Sequence, residues 1–171
     1  MKDEQRESAP LSAAPRRLVL VTAFLGWTFA GMQMGLTSLA VRPALIDLLG
    51  LVEPLDKADN AIVDPWIAWQ VGGFLLGAAA GGLVFGWIGD QLGRAPAMRL
   101  SILCYSFFCG AAYFVDNPTQ LFVLRLLAGL GVGGTWPNGV ALVSEAWPNA
   151  SRPLLAGVMG PAANVGLAAM A

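Results

Sequence analysis

The 171-residue sequence contains no histidine and few charged residues. Without histidine, there is no imidazole to bind a metal, act as a general base or change its charge near neutral pH. Charged residues form 12% of the chain, whereas soluble domains contain about 25%. The net charge of −1 provides no basic footprint for nucleic acid. We therefore expect no metal site, no nucleic-acid partner and no histidine-dependent catalysis.

Cysteine is also scarce, because Cys104 and Cys109 are the only two and lie five positions apart in one apolar run. Residues at this spacing do not stack on one helix face, and we interpret both as reduced, buried thiols. No pair of serine or aspartate side chains recurs at a useful spacing in the apolar runs. The sequence therefore predicts no catalytic residues, and we do not expect an enzyme.

What the sequence does contain is long apolar runs, since 56% of its residues are hydrophobic. A helix needs about 20 apolar residues to cross a bilayer core of ~30 Å, and none of the runs alternates as the strands of a barrel would. We predict an all-α integral membrane protein with five transmembrane helices, preceded by a disordered tail over residues 1–15. The predicted spans are Leu18–Ala40, Trp66–Ile88, Ala97–Val115, Leu121–Val143 and Leu154–Ala171.

The first run has one alternative interpretation, a cleavable signal peptide ending near Ala40. Its apolar stretch exceeds the usual signal core of about 7–15 residues, which favours a span. The fifth run reaches the last residue without a flanking charge, as expected of a chain cut inside a span.

Lysine and arginine residues predict the orientation of these spans, because they accumulate in cytoplasmic segments. If the N-terminus is inside, seven lie in inner segments and two, Arg42 and Lys57, in the outer loops. The segment from Val41 to Pro65, predicted as an outer loop, is acidic. We therefore predict a multi-pass protein of the cytoplasmic membrane with its N-terminus inside.

A few polar or aromatic residues inside the spans are candidates for a solute cavity: Gln33, Thr37, Arg125, Trp136 and Asn164. Arg125 and Trp136 are eleven positions apart and so share one helix face. An arginine within a span costs about 2.5–3.5 kcal/mol on insertion scales, which favours a cavity-facing cation. Two simpler interpretations stay open: the arginine can snorkel to the interface, and Gln33 can form an ordinary interhelical hydrogen bond.

Glycines recur every four residues in two of the spans. The second span contains Gly73, Gly77 and Gly81, and the fourth contains Gly129 and Gly133. Small residues at this spacing allow two helices to approach closely in a membrane. The pattern is equally compatible with fixed packing and with a sliding contact.

A short charged turn separates the second and third runs, with Gly86, Asp90, Gly93 and Arg94 at characteristic positions. It resembles the loop signature of the major facilitator superfamily, Gly-x-x-x-Asp-Arg-x-Gly-Arg-Arg/Lys. The chain departs from that signature where arginine or lysine is usual, at Gln91 and Ala95.

The fourth run carries a second similarity, which extends into the segment after it. Arg125 begins a pattern similar to the Arg-x-x-x-Gly-x-Gly-x-Gly element of the same superfamily. Glu145, Pro148 and Arg152 follow in the spacing Glu-x-x-Pro-x-x-x-Arg, which resembles the sugar, sialate and aromatic-acid porter branches. Together the two motifs place residues 16–171 in a resemblance to the N-terminal half of such a transporter.

This resemblance implies five helices of a six-helix N-terminal bundle, paired with a missing C-terminal half around a central cavity. The first and fourth helices are expected to line the cavity, and the second and fifth to face the other half, where the glycine stripe of the second would suit sliding. The implied function is secondary active or facilitative transport of a sugar or organic anion through the lipid bilayer by alternating access. The alternative is a five-helix scaffold or accessory protein, or a non-functional fragment.

The charged turn is expected to act as a cytoplasmic gate. Arg94 can pair with Asp90 or Glu145, and Arg152 can also bond Glu145, so that an ionic latch with Gly86 and Gly93 in its turn closes the inner end. The alternative is a charged loop that only improves solubility.

Coupling of transport to an ion gradient is open to three interpretations. Some proton-coupled relatives pair a first-helix acid with the fourth-helix arginine, but this chain has no Asp or Glu between Leu18 and Ala40. The coupling acids lie in the missing half, or transport is uncoupled, or Arg125 meets the anion of the solute. No cofactor is expected, and coupling to a proton or sodium gradient stays open.

Overall fold

The computed structural model describes residues 12–171, with the exception of the Arg152 side chain, and these residues form helices without any strand. The helices are α1 (Ala13–Leu48), α2 (Lys57–Leu92), α3 (Arg94–Ala111), α4 (Pro118–Ala146), α5 (Arg152–Met159) and α6 (Pro161–Ala168), and a 3₁₀ turn, Ala112–Phe114, extends α3. Helices α1 to α4 are long and apolar enough to cross a membrane, and α5 and α6 add a shorter apolar stretch. The predicted all-helical, multi-pass membrane fold is confirmed.

Helices α1 and α2 extend well beyond the predicted spans, since each has 36 residues and so a length of about 54 Å. The disordered tail predicted for residues 1–15 is wrong for its last three positions, because α1 begins at Ala13. Pro15 falls in the first helical turn, where its missing N–H is not needed. Residues 1–11 of that prediction lie outside the described residues.

The segment from Val41 to Pro65, predicted as a loop, is also mostly helical. A capping box at Asp56 and Asp59 begins α2 several residues before the apolar run: the Asp56 side chain accepts from the Asp59 N–H, and the Asp59 side chain accepts from the Asp56 N–H. These bonds satisfy donors that have no partner at a helix start. Only residues 49–56 are left to connect α1 and α2.

The fifth predicted span is divided into α5 and α6 at Gly160 and Pro161. Gly160 retains helical dihedral angles of −51° and −48°, but proline has no N–H to continue the hydrogen-bond ladder. The apolar run is therefore interrupted at this point and forms two short helices.

The most extensive helix contact joins α2 to α4. A Cβ on Gly77 or Gly81 would overlap backbone carbonyl oxygens of α4, and a Cβ on Gly129 or Gly133 would overlap those of α2. The backbones meet without side chains between them, as small residues permit in membranes. The expectation that the α2 stripe faces the other half of a transporter is wrong, because the stripe is buried within this bundle.

Helix α4 is the centre of the bundle, and α1, α2 and α3 all pack against it. Half of the residues in the most apolar 18-residue stretch of α4 are buried, against 28% or less in the corresponding stretches of α1, α2 and α3. One end of the bundle contains the α2–α3 turn and the end of α4, and we name it the Arg94 end. The opposite end contains the end of α1 and the beginning of α2, and we name it the Arg42 end.

Candidate functional site

Arg125 is a buried cation with neutral partners. Only 8% of the surface of Arg125 is exposed, and Arg125 Nη1 donates a hydrogen bond of 2.6 Å to Thr37 Oγ1. The guanidinium carbon lies 4.8 Å from the centroid of the Phe74 ring, a cation–π geometry. No carboxylate among residues 12–171 forms an ion pair with Arg125.

The Thr37 hydroxyl joins Arg125 to α1. Thr37 Oγ1 donates to the Gln33 carbonyl at 2.8 Å and accepts from Gln33 Nε2 at 3.2 Å, in addition to the bond from Arg125. One hydroxyl offers one donor and two acceptor sites, so the capacity of Thr37 is fully used. Arg125 Nε and Gln33 Oε1 are buried without a partner. The polar cluster therefore has unused hydrogen-bonding groups on both helices.

Two cavities adjoin this cluster, and Arg125 lies in the wall of both. The first, of ≈ 200 Å³, lies between α1, α3 and α4 and includes Gln33, Thr37 and Cys109 among mainly apolar residues. The second, of ≈ 490 Å³, lies between α1, α2 and α4 and is a groove that also includes Phe74. An apolar cavity of about 150 Å³ is large enough for benzene, so the first can hold a small aromatic ring.

Trp136 and Asn164 do not join the cluster, although the sequence grouped them with it. Trp136 packs against Trp27, with ring centroids 5.1 Å apart, and lines a different groove of ≈ 600 Å³ at the Arg94 end. Eleven residues separate the levels of Arg125 and Trp136 by about 16 Å along α4, which places them at different depths. Asn164 is exposed on α6.

The Arg94 end contains a second arginine, and this one has acidic partners. Arg94 forms an ion pair with Asp90 one turn earlier, and its Nε lies 3.6 Å from Glu145 Oε1 of α4. Arg94 Nη1 also donates to the Gly86 carbonyl at 3.4 Å. Arg94 thus connects α2 to α4.

Gly93 makes this arrangement possible, because its φ of +94° turns the chain between α2 and α3. Residues other than glycine rarely adopt this backbone conformation. Five of the six predicted gate residues therefore meet. The side chain of the sixth, Arg152, lies outside the described residues, and its bond to Glu145 stays a prediction.

Asn138, which the sequence did not single out, is fully buried at the Arg94 end. Its Nδ2 donates at 2.9 Å to the Phe85 carbonyl of α2 and also to that of Gly134 in its own helix, while its Oδ1 has no partner. An amide in an apolar run was the available signal. Phe74 was missed as well, and a phenylalanine in an apolar run gives no such signal.

A model of the Major Facilitator Superfamily matches residues 18–171. A gallate transporter of Pseudomonas putida is 30% identical over 154 residues, which cover 90% of this chain and 32% of that protein. A 4-hydroxybenzoate transporter of the same species is 33% identical over 132 residues, which cover 71% and 30%. A niacin transporter of Acinetobacter baylyi is 29% identical over 142 residues, which cover 83% and 29%.

The chain thus spans about a third of the length of these relatives. They are named as transporters, in agreement with the expectation that the chain is not an enzyme. No solved structure matches the chain.

Proposed function

Since the chain belongs to the major facilitator superfamily, we propose that it is the N-terminal part of a transporter that carries a small organic anion across the cytoplasmic membrane by alternating access. The observation that carries this proposal is the buried cation of Arg125, which has no counter-ion among residues 12–171. Buried charges in proteins are normally paired, whereas Arg125 has only a hydroxyl and an aromatic ring beside it. An anionic solute supplies the missing partner.

A carboxylate suits this position because guanidinium groups bind carboxylates through two parallel hydrogen bonds. Arg125 has five N–H donors, and the structure uses one of them on Thr37. The buried Nε has no partner and is available to such a pair. The solute's carboxylate is therefore placed against Arg125.

The rest of the solute is an aromatic ring. The ≈ 200 Å³ cavity has mainly apolar walls, including Phe108 and Leu124, and a single ring fits this volume. Gallate, 4-hydroxybenzoate and niacin, after which the relatives are named, each combine one ring with one carboxyl group. We place this chain's solute in the same chemical class, ahead of sugars.

The Arg94 end faces the cytoplasm in this proposal, because the positive charges of the chain accumulate there. Arg94 then holds the inner gate closed while the Arg42 end is open to the outside. The pairs to Asp90 and Glu145 are exposed and individually weak. Such a network is sufficient to shift the balance between two states of similar energy.

The test is uptake of radiolabelled 4-hydroxybenzoate, nicotinate and gallate by cells that express the complete reading frame containing these residues, with nicotinamide and glucose as neutral compounds. Arg125→Gln should lower uptake of the acids at least about tenfold, since it removes a charge-assisted pair. Arg99→Gln is the control, because Arg99 is exposed on α3. The proposal is contradicted if the protein takes up nicotinamide or glucose and Arg125→Gln leaves that uptake unchanged.

A further inference from the structure

The neutral amide of Gln33 occupies a position from which a carboxylate would neutralise Arg125. Gln33 Nε2 and Arg125 Nη1 are bound to the same oxygen, Thr37 Oγ1, at 3.2 and 2.6 Å. Glutamate has the same length and shape as glutamine. A glutamate at position 33 would therefore form an internal ion pair with Arg125, directly or through the Thr37 hydroxyl.

None of the residues in the apolar runs is an acid that could neutralise Arg125. The five runs that predict the spans contain no aspartate or glutamate. The titratable side chains of α3 near this level are Cys109, in the cavity wall, and Tyr105, in the core around Phe74. From α2, Arg125 faces Phe74 and shares a groove with Gln70, both uncharged. Arg42 also lines that groove and is paired with the exposed Asp64.

The empty and loaded forms of this site consequently differ in charge. The empty form contains a bare cation, whereas the form loaded with a carboxylate is neutral. Enclosing an uncompensated charge in a low-dielectric interior is costly, and every transport cycle encloses the site between its two open states. The loaded form therefore has the lower barrier to reorientation.

We infer that Gln33 is a specificity-determining residue that keeps Arg125 uncompensated, an inference that rests on the proposed function. As a consequence, the transporter exchanges one organic anion for another faster than it imports an anion alone. The anion itself replaces a coupling acid in this bundle. Exchange follows because the return step is faster with an anion bound than with an empty site.

The test uses the complete protein in proteoliposomes, with 4-hydroxybenzoate as the probe. Loading the vesicles with unlabelled 4-hydroxybenzoate should raise the initial rate of labelled uptake at least threefold. In Gln33→Glu, uptake should fall at least tenfold at about pH 7.5, because the new carboxylate occupies Arg125, and it should stay low at about pH 5.5, where a glutamate paired with an arginine is still ionised. Gln33→Met, neutral and of similar length, should retain the stimulation by internal anion.

A monodisperse elution profile in detergent, matching that of Gln33→Met, shows that Gln33→Glu is folded. The inference is overturned if Gln33→Glu transports like the parent protein at about pH 7.5, or if internal anion does not accelerate uptake. It is also overturned if uptake by the parent requires an inward proton gradient. Absence of any anion uptake by the parent instead refutes the proposed function, on which the inference depends.

Discussion

Arg94, at one end of the bundle, and Arg125, in its interior, differ in the groups that surround them. The Arg94 side chain is 24% exposed and contacts two carboxylates, those of Asp90 and Glu145. Arg125 is buried and contacts a hydroxyl and a ring. A cation whose charge is already balanced joins structural elements, whereas an unbalanced cation attracts a ligand. In the proposed function, the surroundings and not the residue type give one arginine the role of a gate and the other the role of a solute partner.

The largest effect is expected where the two sites share a support, at the α2–α4 contact. Gly77 lies between the level of Phe74 and the Arg94 end, and a Cβ there would overlap the Leu126 carbonyl. Gly77→Ala should destabilise the protein by about 1–3 kcal/mol or more, since overpacking a close contact forces the backbones apart. Thermal unfolding in detergent measures this loss, and uptake should fall with it.

Gly72→Ala is the matched control, because nothing lies within 4 Å of a Cβ at that position of the same helix. Alanine there should be neutral or stabilise α2 by roughly 0.5–1 kcal/mol through helix propensity. Equal melting temperatures for the two variants would mean that the glycine contact is not needed to support both arginines.

A smaller effect is expected at the gate itself. Arg94→Ala removes both ion pairs and the bond to the Gly86 carbonyl, while the surroundings of Arg125 stay unchanged. Uptake should fall about three- to tenfold, as for a network of roughly 1 kcal/mol that biases two states. The apparent affinity for the solute should change less than the maximal rate.

Kinetics of solute uptake separate these two quantities, and the Arg125→Gln variant provides the contrast, because it should reduce affinity. If Arg94→Ala instead weakens solute affinity and leaves the maximal rate intact, the division of roles between the two arginines is incorrect.

The fold was predictable to the extent that it depends on apolar runs, and less so where it depends on polar ends and on partners. The run Trp66–Ile88 predicted α2, but the capping box at Asp56 determines where that helix begins. The spacing of Gly77 and Gly81 predicted a close contact and did not identify α4 as the partner. Spacing along one helix carries no information about which neighbour lies opposite.

The site shows the same division. The scarcity of polar residues inside the apolar runs singled out Gln33, Thr37 and Arg125, and the structure joins them in one cluster. Periodicity also grouped Trp136 with Arg125, although depth along the helix separates them. Phe74 contributes its ring from a third helix, and only the packing of α2 on α4 makes it a neighbour.

Salt concentration distinguishes the two arginines with the smallest expected effect. Glu145 is 63% exposed and its Oε1 lies 3.6 Å from Arg94 Nε, so Glu145→Gln should reduce uptake by no more than about twofold at physiological ionic strength. Because the Debye length falls from about 8 Å at 0.15 M salt to about 3 Å at 1 M, this difference from the parent should disappear at high salt. The pair formed in Gln33→Glu lies in the interior and is screened much less, so its defect should persist there. Uptake assays of both variants across a salt series make the comparison, and a salt-insensitive Glu145→Gln defect would show that the gate pair is buried during transport.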